Sequence, residues 1–198
     1  MKRFVIPGEK LEGRPNAHYY REGNNYYSQV FGILEKKDNF LKIVPLKGKY
    51  MPHKGDYVIG IVIDVKYGGV IVDINSSHFA FLPTKNSLNY KDIVSAEVID
   101  IDEVRNATLG NERKLFGGEI IEINPVRIPR VIGKNNSMLK LLKDKTGCSF
   151  FVGRNGRIWI KGKNSPILAD AIFKIEREAH TSGLTERIEK YLDEMLKG

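Results

Sequence analysis

The sequence contains very little cysteine: Cys148 is the only one among 198 residues. A lone thiol cannot form an internal disulfide, and no other metal-ligating residues accompany Cys148 in the sequence. We therefore interpret Cys148 as a core residue at the start of an apolar strand. No run of 18 apolar residues occurs, which argues against a membrane-spanning helix. Pro7 and Gly8 interrupt the N-terminal segment too soon for a signal peptide. We therefore predict a cytoplasmic protein with no membrane partner.

Catalytic and metal-binding constellations are also missing. The four histidines are dispersed: His18, His53, His78 and His180. They form no HxH or HExxH motif and have no partnering cysteine. The acidic residues Asp100, Asp102 and Glu103 are compatible with metal-dependent phosphodiester cleavage, but Asp100 and Asp102 alternate with apolar residues as on the solvated face of a strand. We predict no catalytic residue, no metal site, no cofactor and no enzymatic activity.

Acidic residues are scarce in one part of the chain. The net charge of +8 divides into +5 for residues 1–52, −2 for 53–118 and +5 for 119–198. Within 127–163, ten of 37 residues are Lys or Arg and only Asp144 is acidic. Such a surface favours a polyanionic partner such as nucleic acid. The alternative is that the basic charge serves only solubility.

The basic window has a recognisable order of elements. An apolar strand is predicted to end near Val126, followed by a short helical turn, a loop and an amphipathic helix that Gly147 stops. Two strands, at 148–152 and 157–160, are joined by an Asn-Gly pair, which predicts a hairpin with a type I′ turn. With a helix over 166–180, the order resembles a type I KH domain, whose loop clamps the backbone of single-stranded nucleic acid.

Candidate RNA-binding residues surround the loop of this KH-like domain. They are Arg130, Gly133, Lys134, Asn135, Asn136 and Lys140. KH loops usually read GxxG because the second glycine lets the backbone approach phosphates, whereas Asn136 occupies that position here. Asparagine tolerates left-handed conformations, so we expect the turn to survive, and binding to rely on charge rather than on backbone clamping. The alternative is that this loop only stabilises the domain.

Residues 53–118 predict a five-stranded β-barrel. Strand patterns occur at 57–65, 70–74, 79–82 and 93–104. The segment resembles an S1 domain of the OB-fold family through 55–62 (Gly-Asp-Tyr-Val-Ile-Gly-Ile-Val) and 80–83 (Ala-Phe-Leu-Pro). Such barrels bind single strands with aromatic residues on the face of strands two and three. The resemblance implies RNA contacts at Lys66, Tyr67, His78 and Phe79.

Residues 1–52 predict a small β-domain with turn signals at roughly ten-residue spacing and strands at 26–34 and 40–45. Its aromatic residues include Tyr19, Tyr20, Tyr26, Tyr27 and Phe31. In so small a domain we expect them to supply the core or an interface, with base stacking as the alternative.

Residues 119–198 comprise the KH-like domain and a last helix at 185–196. Leu184, Ile188 and Leu192 share one face of this helix, so we expect it to pack on its own domain; binding of a partner is the alternative. The predicted fold class is multidomain, mainly β with an α+β part: an N-terminal β-domain, an S1 OB-fold barrel and a type I KH domain.

The order of the three modules resembles, along essentially the whole chain, the RNA-binding cap subunits of the exosome of the ribosomal-RNA-processing-protein-4 type, in their archaeal form. Matching segments are 5–8 (Val-Ile-Pro-Gly), 71–76 (Ile-Val-Asp-Ile-Asn-Ser) and 153–160 (Gly-Arg-Asn-Gly-Arg-Ile-Trp-Ile). The last is a GxNG motif followed by Ile-Trp. The resemblance implies that it seats the KH domain against the barrel through Gly153, Asn155, Gly156 and Trp159. RNA contact by this hairpin is the alternative.

The resemblance further implies a non-catalytic role. Such caps are expected as trimers, or mixed with the other cap type, on a hexameric ring of RNase-PH-like subunits that degrades RNA from its 3′ end by phosphorolysis. The cap captures single-stranded RNA, with a preference for adenine-rich tails, and its N-terminal domain docks on the ring. The alternative function is a stand-alone RNA chaperone or a regulator of translation or transcription, which needs no ring.

Overall fold

The computed structural model describes residues 2–16, 18–37, 40–47, 50–179, 181 and 183–197. By backbone contacts the chain divides into two compact units, residues 1–48 and 49–198. The second unit contains both the barrel and the KH elements, so the boundaries drawn after residues 52 and 118 remain predictions. No helix within the described ranges is long and apolar enough to cross a membrane.

The N-terminal unit is built from two three-stranded antiparallel sheets. Its strands are β1 (Lys2–Val5), β2 (Lys10–Leu11), β3 (Tyr19–Glu22), β4 (Asn25–Ser28), β5 (Phe31–Lys37) and β6 (Phe40–Lys47). One sheet has the order β1-β5-β6 and the other β2-β4-β3. Val5, Leu11, Leu34, Leu41 and Ile43 form the core, with Tyr19 and Tyr26 packed against it.

The single strand predicted at 26–34 is wrong, because the chain leaves the sheet after β4. Ser28 is fully buried, and its hydroxyl donates a hydrogen bond of 2.8 Å to the carbonyl of Val30. This local bond competes with the ladder and turns the chain before β5 begins. The aromatic residues pair within the second sheet: Tyr19 and Tyr26 meet edge to face, and Tyr20 stacks on Tyr27.

Five strands close a barrel in the second unit. They are β7 (Tyr57–Lys66), β8 (Gly69–Asp73), β9 (Ala80–Pro83), β10 (Ile93–Ile101) and β11 (Ala107–Leu115). The order is β10-β11-β9-β8-β7, and β10 pairs with β7 to close it. The core is apolar and rich in valine, including Val58, Val62, Val72, Val94 and Val98.

The fifth strand, β11, had no predicted range. Its second half reads Asn-Glu-Arg-Lys at 111–114, a polar run that hides the strand pattern. Ala107 and Leu109 are nevertheless buried in the barrel core, and Leu115 is buried against Trp159 of the KH sheet. Strand β11 lies parallel to β9 and antiparallel to β10, so its place is set by the closure of the barrel.

The C-terminal part has type I KH topology, which confirms the predicted fold class. Its elements are β12 (Glu119–Glu122), α1 (Ile128–Ile132), α2 (Ser137–Thr146), β13 (Ser149–Val152), β14 (Arg157–Lys161), α3 (Ser165–Glu178) and α4 (Leu184–Met195). The three strands form an antiparallel sheet in the order β12-β14-β13. Buried residues of the helices and strands, among them Ile128, Leu142, Cys148, Ile160 and Ile172, form one core. The last helix buries Leu184, Ile188 and Leu192 in that core, so packing on its own domain is confirmed.

Two predicted ends in this domain differ from the structure. Strand β12 stops at Glu122 rather than near Val126, because the side chain of Asn124 accepts a hydrogen bond from the backbone N–H of Val126 and starts a 3-10 turn at 125–127. The other helix end, predicted at His180, lies outside the described residues.

The hairpin between β13 and β14 exists, but its turn is not type I′. A type I′ turn needs a positive φ at both central residues. Here only Gly156 has one, at 84°, and Asn155 does not. The N–H of Gly156 donates to the carbonyl of Gly153, and the N–H of Gly153 donates to the carbonyl of Arg157. This is the three-residue loop in which glycine adopts the left-handed conformation after a turn, and in it the side chain of Asn155 faces backbone groups of the barrel.

Candidate nucleic-acid interface

Asn155 joins the KH hairpin to the barrel. Its side-chain amide donates to the carbonyls of Ile59 at 2.7 Å and Ile74 at 2.9 Å, and its Oδ1 accepts from the N–H of Ile59 at 3.2 Å. Its backbone carbonyl accepts from the side chain of Asn75 at 3.1 Å. Asn155 is fully buried, and an amide in such a place is tolerated only because each polar group has a partner. The side chain thereby satisfies backbone groups of two barrel segments.

Arg157 provides a second, ionic link between the KH sheet and the barrel. Its Nε donates to Glu122 at 2.7 Å, and its two terminal nitrogens donate to the carbonyl and the carboxylate of Asp73, each at 2.7 Å. Burial by itself raises the pKa of Asp73, but hydrogen bonds from Arg157 and from the N–H of Asn75 lower it overall. Asp73 is therefore held ionised beside a buried guanidinium, which needs that charge.

Trp159 supplies the apolar part of the same junction. Its ring packs with Ile59 and Leu115 of the barrel, and its Nε1 donates to the carbonyl of Gly117 at 2.7 Å. Only 5% of Trp159 is exposed, so it is not available as a platform for bases. Gly153 completes the fit, because a Cβ there would lie 2.8 Å from the backbone nitrogen of Ile59. Gly153, Asn155 and Trp159 thus contact the barrel, whereas Gly156 packs within the KH domain, where a Cβ would lie 2.4 Å from the carbonyl of Ile123.

The KH loop retains a sharp turn although it lacks the second glycine. Gly133 has φ 75°, and a Cβ there would meet the backbone nitrogen of Met138 at 2.6 Å. Asn135 and Asn136 follow with φ of 51° and 62°, so both asparagines adopt the left-handed conformation that they tolerate better than other residues with a Cβ. Both side chains are exposed.

The loop opens onto a groove of about 880 Å³ between the KH domain and the barrel. Of the six loop candidates, Asn135, Asn136 and Lys140 line this groove. Gly133 belongs to the turn but does not line the groove. Arg130 and Lys134 are exposed and also lie outside the lining. The predicted cluster is therefore split between the groove and the neighbouring surface.

Sequence reasoning missed the other basic and aromatic residues of this groove. They are Arg113, Lys114 and Phe116 of the barrel side and Lys143, Phe150, Phe151 and Lys161 of the KH side. The three barrel-side residues lie in or next to the strand that had no predicted range, and in that segment the net charge is negative. Their role depends on β11 lying beside the KH domain, which no local pattern indicates.

The barrel candidates do not form a single cluster. Tyr67 follows β7 and lies at the end of the β8–β9 pair where Gly69 faces Pro83, whereas Phe79 precedes β9 at the opposite end of that pair. His78 and Phe79 are exposed, and Tyr67 is exposed completely. Lys66 has its charge engaged by Asp64 at 2.6 Å, and this hydrogen bond lowers the pKa of the Asp64 carboxyl.

One aromatic residue lies between those two ends. Phe81 is partly exposed on β9, and its ring covers Gly69 so closely that a Cβ there would meet the ring at 2.9 Å. The S1 resemblance includes Phe81 only as part of the segment Ala-Phe-Leu-Pro at 80–83. The alternation of β9, with Ala80 and Leu82 inside the barrel, would have placed Phe81 on the outer face.

Comparison with known proteins finds relatives along the whole chain. A family model described as Exosome RNA binding protein RRP4 N-terminal domain matches residues 3–47, and a KH domain model matches residues 118–166. A protein of Picrophilus torridus named Exosome complex component Rrp4 is 41% identical, with 100% of this chain and 95% of the relative covered. The protein of that name from Methanothermus fervidus is 40% identical, with 96% of this chain and 94% of the relative covered.

A solved structure agrees with these sequence matches. It is a crystal structure described as that of an exosome complex RNA-binding protein, and it is 37% identical to this chain. The superposition has a TM-score of 0.69 and covers 76% of this chain and 98% of the other.

Proposed function

Because this chain belongs to the family of archaeal exosome complex components named Rrp4, we propose that it is an RNA-binding cap subunit of an exosome. The observation that carries the proposal is the similarity over the full chain, together with a KH domain locked to the barrel by Asn155. Two modules that each bind single strands then act as one rigid surface. A strand of RNA that reaches one of them is held in a defined direction relative to the other.

The exposed groups favour single-stranded RNA without strict sequence selection. Arg130, Lys134 and Lys140 offer charge to phosphates, and Tyr67 and Phe79 offer ring faces to bases. Base stacking on aromatic rings and charge pairing with phosphates accept any sequence. A preference for adenine-rich tails, as the family resemblance implies, belongs to this proposal.

We place the partner ring on the N-terminal unit. On the sheet β1-β5-β6, Phe4 stacks on Phe31 with ring centroids 6.1 Å apart and planes 7° from parallel. Phe4 is 65% exposed and Phe31 42%, and Ile6 beside them is exposed as well. Adjacent exposed apolar residues of this kind mark contact surfaces between proteins. They support docking of this unit on a partner protein, which the family resemblance implies is a hexameric ring of RNase-PH-like subunits that carries three caps or a mixture of cap types.

We assign catalysis to that ring, which degrades RNA from the 3′ end with phosphate as the attacking group, and we place the complex in the cytoplasm. Of the acidic residues that are compatible with a catalytic group, Asp102 is used structurally. Asp102 accepts hydrogen bonds from the backbone and side chain of Asn106 at 2.7 Å and 2.9 Å, which closes the turn between β10 and β11.

Reconstitution tests the proposal. The purified chain is mixed with the RNase-PH-like subunits of the same organism, and the mixture is analysed by gel filtration and by phosphate-dependent degradation of a polyadenylate RNA. We expect co-elution, faster degradation with the chain than without it, and no degradation by the chain alone. A chain that binds RNA but never associates with the ring supports the stand-alone chaperone or regulator instead. Nuclease activity that remains with the pure chain through successive columns contradicts the non-catalytic role.

A further inference from the structure

The groove between the barrel and the KH domain has an unusual charge. Of its fourteen lining residues, five are Lys or Arg and none is Asp or Glu. The cations come from both sides: Arg113 and Lys114 from β11, Lys140 and Lys143 from α2, and Lys161 from β14. Like charges that face one another across a groove repel, so such an arrangement is stabilised by a polyanion between them.

Most of these cations are free to meet a ligand. Lys114 forms an ion pair with Asp92 and is therefore neutralised. Among the described residues, no carboxylate lies within ion-pair distance of Arg113, Lys140, Lys143 or Lys161. Arg113 instead lies over the ring of Phe151 at 5.2 Å, and Lys161 donates to the backbone carbonyl of Phe116 at 2.9 Å. Neither contact removes the positive charge.

An exposed aromatic ring stands at the edge of the groove. Phe116 is 66% exposed although it follows directly on β11. Its backbone is held by the bond from Lys161, and the ammonium of Lys114 lies 5.4 Å from its ring centre. Among the described residues, Phe116 belongs to none of the hydrophobic clusters of the fold. It has the properties of a platform on which a base stacks while the adjacent phosphate meets a lysine.

We propose that single-stranded RNA lies in this groove, with Phe116 stacking a base, Arg113 and Lys143 facing phosphates across the strand, and the KH loop at one end. The last strand of the barrel thus supplies half of the binding surface, and the KH domain supplies the other half. The inference rests on the proposed function, because RNA is the ligand in both. The inference adds that the main RNA contact lies in the groove. Tyr67 and Phe79, at the two ends of the β8–β9 pair, then make a smaller contribution.

Charge-matched variants separate the groove from its surroundings. Lys140→Gln/Lys143→Gln removes two groove cations, and Arg130→Gln/Lys134→Gln removes two cations outside the lining. Lys190→Gln/Lys197→Gln is the charge-matched control, because it removes two cations at exposed positions near the C-terminal end of the sequence that do not line the groove. Binding of a fluorescent polyadenylate oligonucleotide to the full chain is titrated at several salt concentrations, after circular dichroism shows that each variant is folded.

We expect the groove variant to flatten the dependence of log affinity on log salt by about 1.4, since each contact with a phosphate of a single strand contributes about 0.7. Arg130→Gln/Lys134→Gln, outside the lining, should flatten this slope by clearly less. The control Lys190→Gln/Lys197→Gln should leave the slope unchanged. Phe116→Ala is expected to weaken binding about tenfold without a change in slope, because stacking releases few counterions. Equal effects of the first two variants would overturn the proposal.

Photo-cross-linking locates the bound RNA on the protein independently of the variants. Polyuridylate that contains 4-thiouridine is irradiated with the wild-type chain, and the cross-linked peptides are identified by mass spectrometry. Cross-links in the peptides that contain Phe116 or Phe151 support the groove, and cross-links confined to those with Tyr67 or Phe79 overturn it. Competition by polyglutamate as strong as that by polyadenylate would show a site for acidic peptides and reject the RNA assignment. If the wild-type chain binds no RNA at all, the proposed function itself fails.

Discussion

The side chain of Asn155 bonds to Ile59 as a neighbouring β-strand would. Its amide donates to the Ile59 carbonyl at 2.7 Å and accepts from the Ile59 N–H at 3.2 Å, although the two residues are 96 positions apart. An asparagine side chain can do this because it has the same donor and acceptor as a peptide group. The KH hairpin is thereby fastened to β7 by this side chain, in addition to the backbone bond of 2.8 Å from the N–H of Arg154 to the carbonyl of Tyr57.

Asn155→Ala should therefore destabilise the second unit strongly. The change leaves the N–H and C=O of Ile59 and the C=O of Ile74 buried without these partners, and an unsatisfied buried group costs about 1–3 kcal/mol. We expect a loss of about 3 kcal/mol in the free energy of unfolding by urea. Asn89→Ala, at an exposed position, is the matched control and should change it by less than about 0.5 kcal/mol. Similar stability of both variants would show that water replaces the lost bonds.

The ion pair between Asp73 and Arg157 should make stability depend on pH in acid. The pKa of Asp73 is lowered in the folded protein, so its contribution is complete above the ordinary value of 3.8 and is lost as the pH falls through the lowered value. Asp73→Asn is expected to be less stable than the wild type at pH 7, and the difference should shrink below about pH 4. The measurement is the thermal unfolding midpoint of both proteins from pH 7 to pH 2. A constant difference over this range would contradict the assignment.

The KH loop should tolerate glycine but not alanine at position 136. Asn136 has φ 62°, a conformation that costs an alanine about 1 kcal/mol. Asn136→Ala should lower the free energy of unfolding by this amount, and Asn136→Gly should leave it within about 0.5 kcal/mol. Ser137→Ala, at the helical φ of −59°, is the control in the adjacent residue. Equal effects of alanine and glycine at 136 would argue that the loop is not held in this turn.

Docking on the ring should depend on the stacked pair Phe4 and Phe31. Phe4→Ser/Phe31→Ser removes exposed apolar area without opening the core, so the unit should stay folded and RNA binding should persist. We expect the variant to elute apart from the ring in gel filtration. Phe40→Ser is the control, since Phe40 is also exposed but lies at the opposite end of the β5–β6 pair. Undiminished assembly of the double variant would place the docking surface elsewhere.

Tyr67 and Phe79 should act independently if they contact RNA. They lie at opposite ends of the β8–β9 pair, so no single base stacks on both. Tyr67→Ala and Phe79→Ala are each expected to lower affinity with little change in salt dependence, and their free-energy effects should add in the double variant. Fluorescence anisotropy with a polyadenylate oligonucleotide measures this. An effect of the double variant no larger than that of one single variant would contradict two separate contacts.

Local patterns were enough to predict most elements, because a helix or strand with one buried face has apolar residues at the spacing of its own repeat. They failed where a polar side chain changes the course of the backbone. Ser28 interrupts an apparently continuous strand, and Asn155, whose side chain bonds to the barrel, lacks the positive φ that a type I′ turn requires. The strand β11 had no predicted range because half of its length is polar on an open face.

The sequence by itself determined the order of the modules, the basic character of the KH region and the GxNG motif, and these sufficed to indicate the family. Only the tertiary structure decided which of the basic and aromatic residues lie together. Arg113 and Phe116 meet Lys143 across one groove, whereas Tyr67 and Phe79 are separated. The physical reason is that these neighbours are brought together by barrel closure and by the packing of the KH hairpin on β7, contacts between residues far apart in the chain that leave no local periodicity.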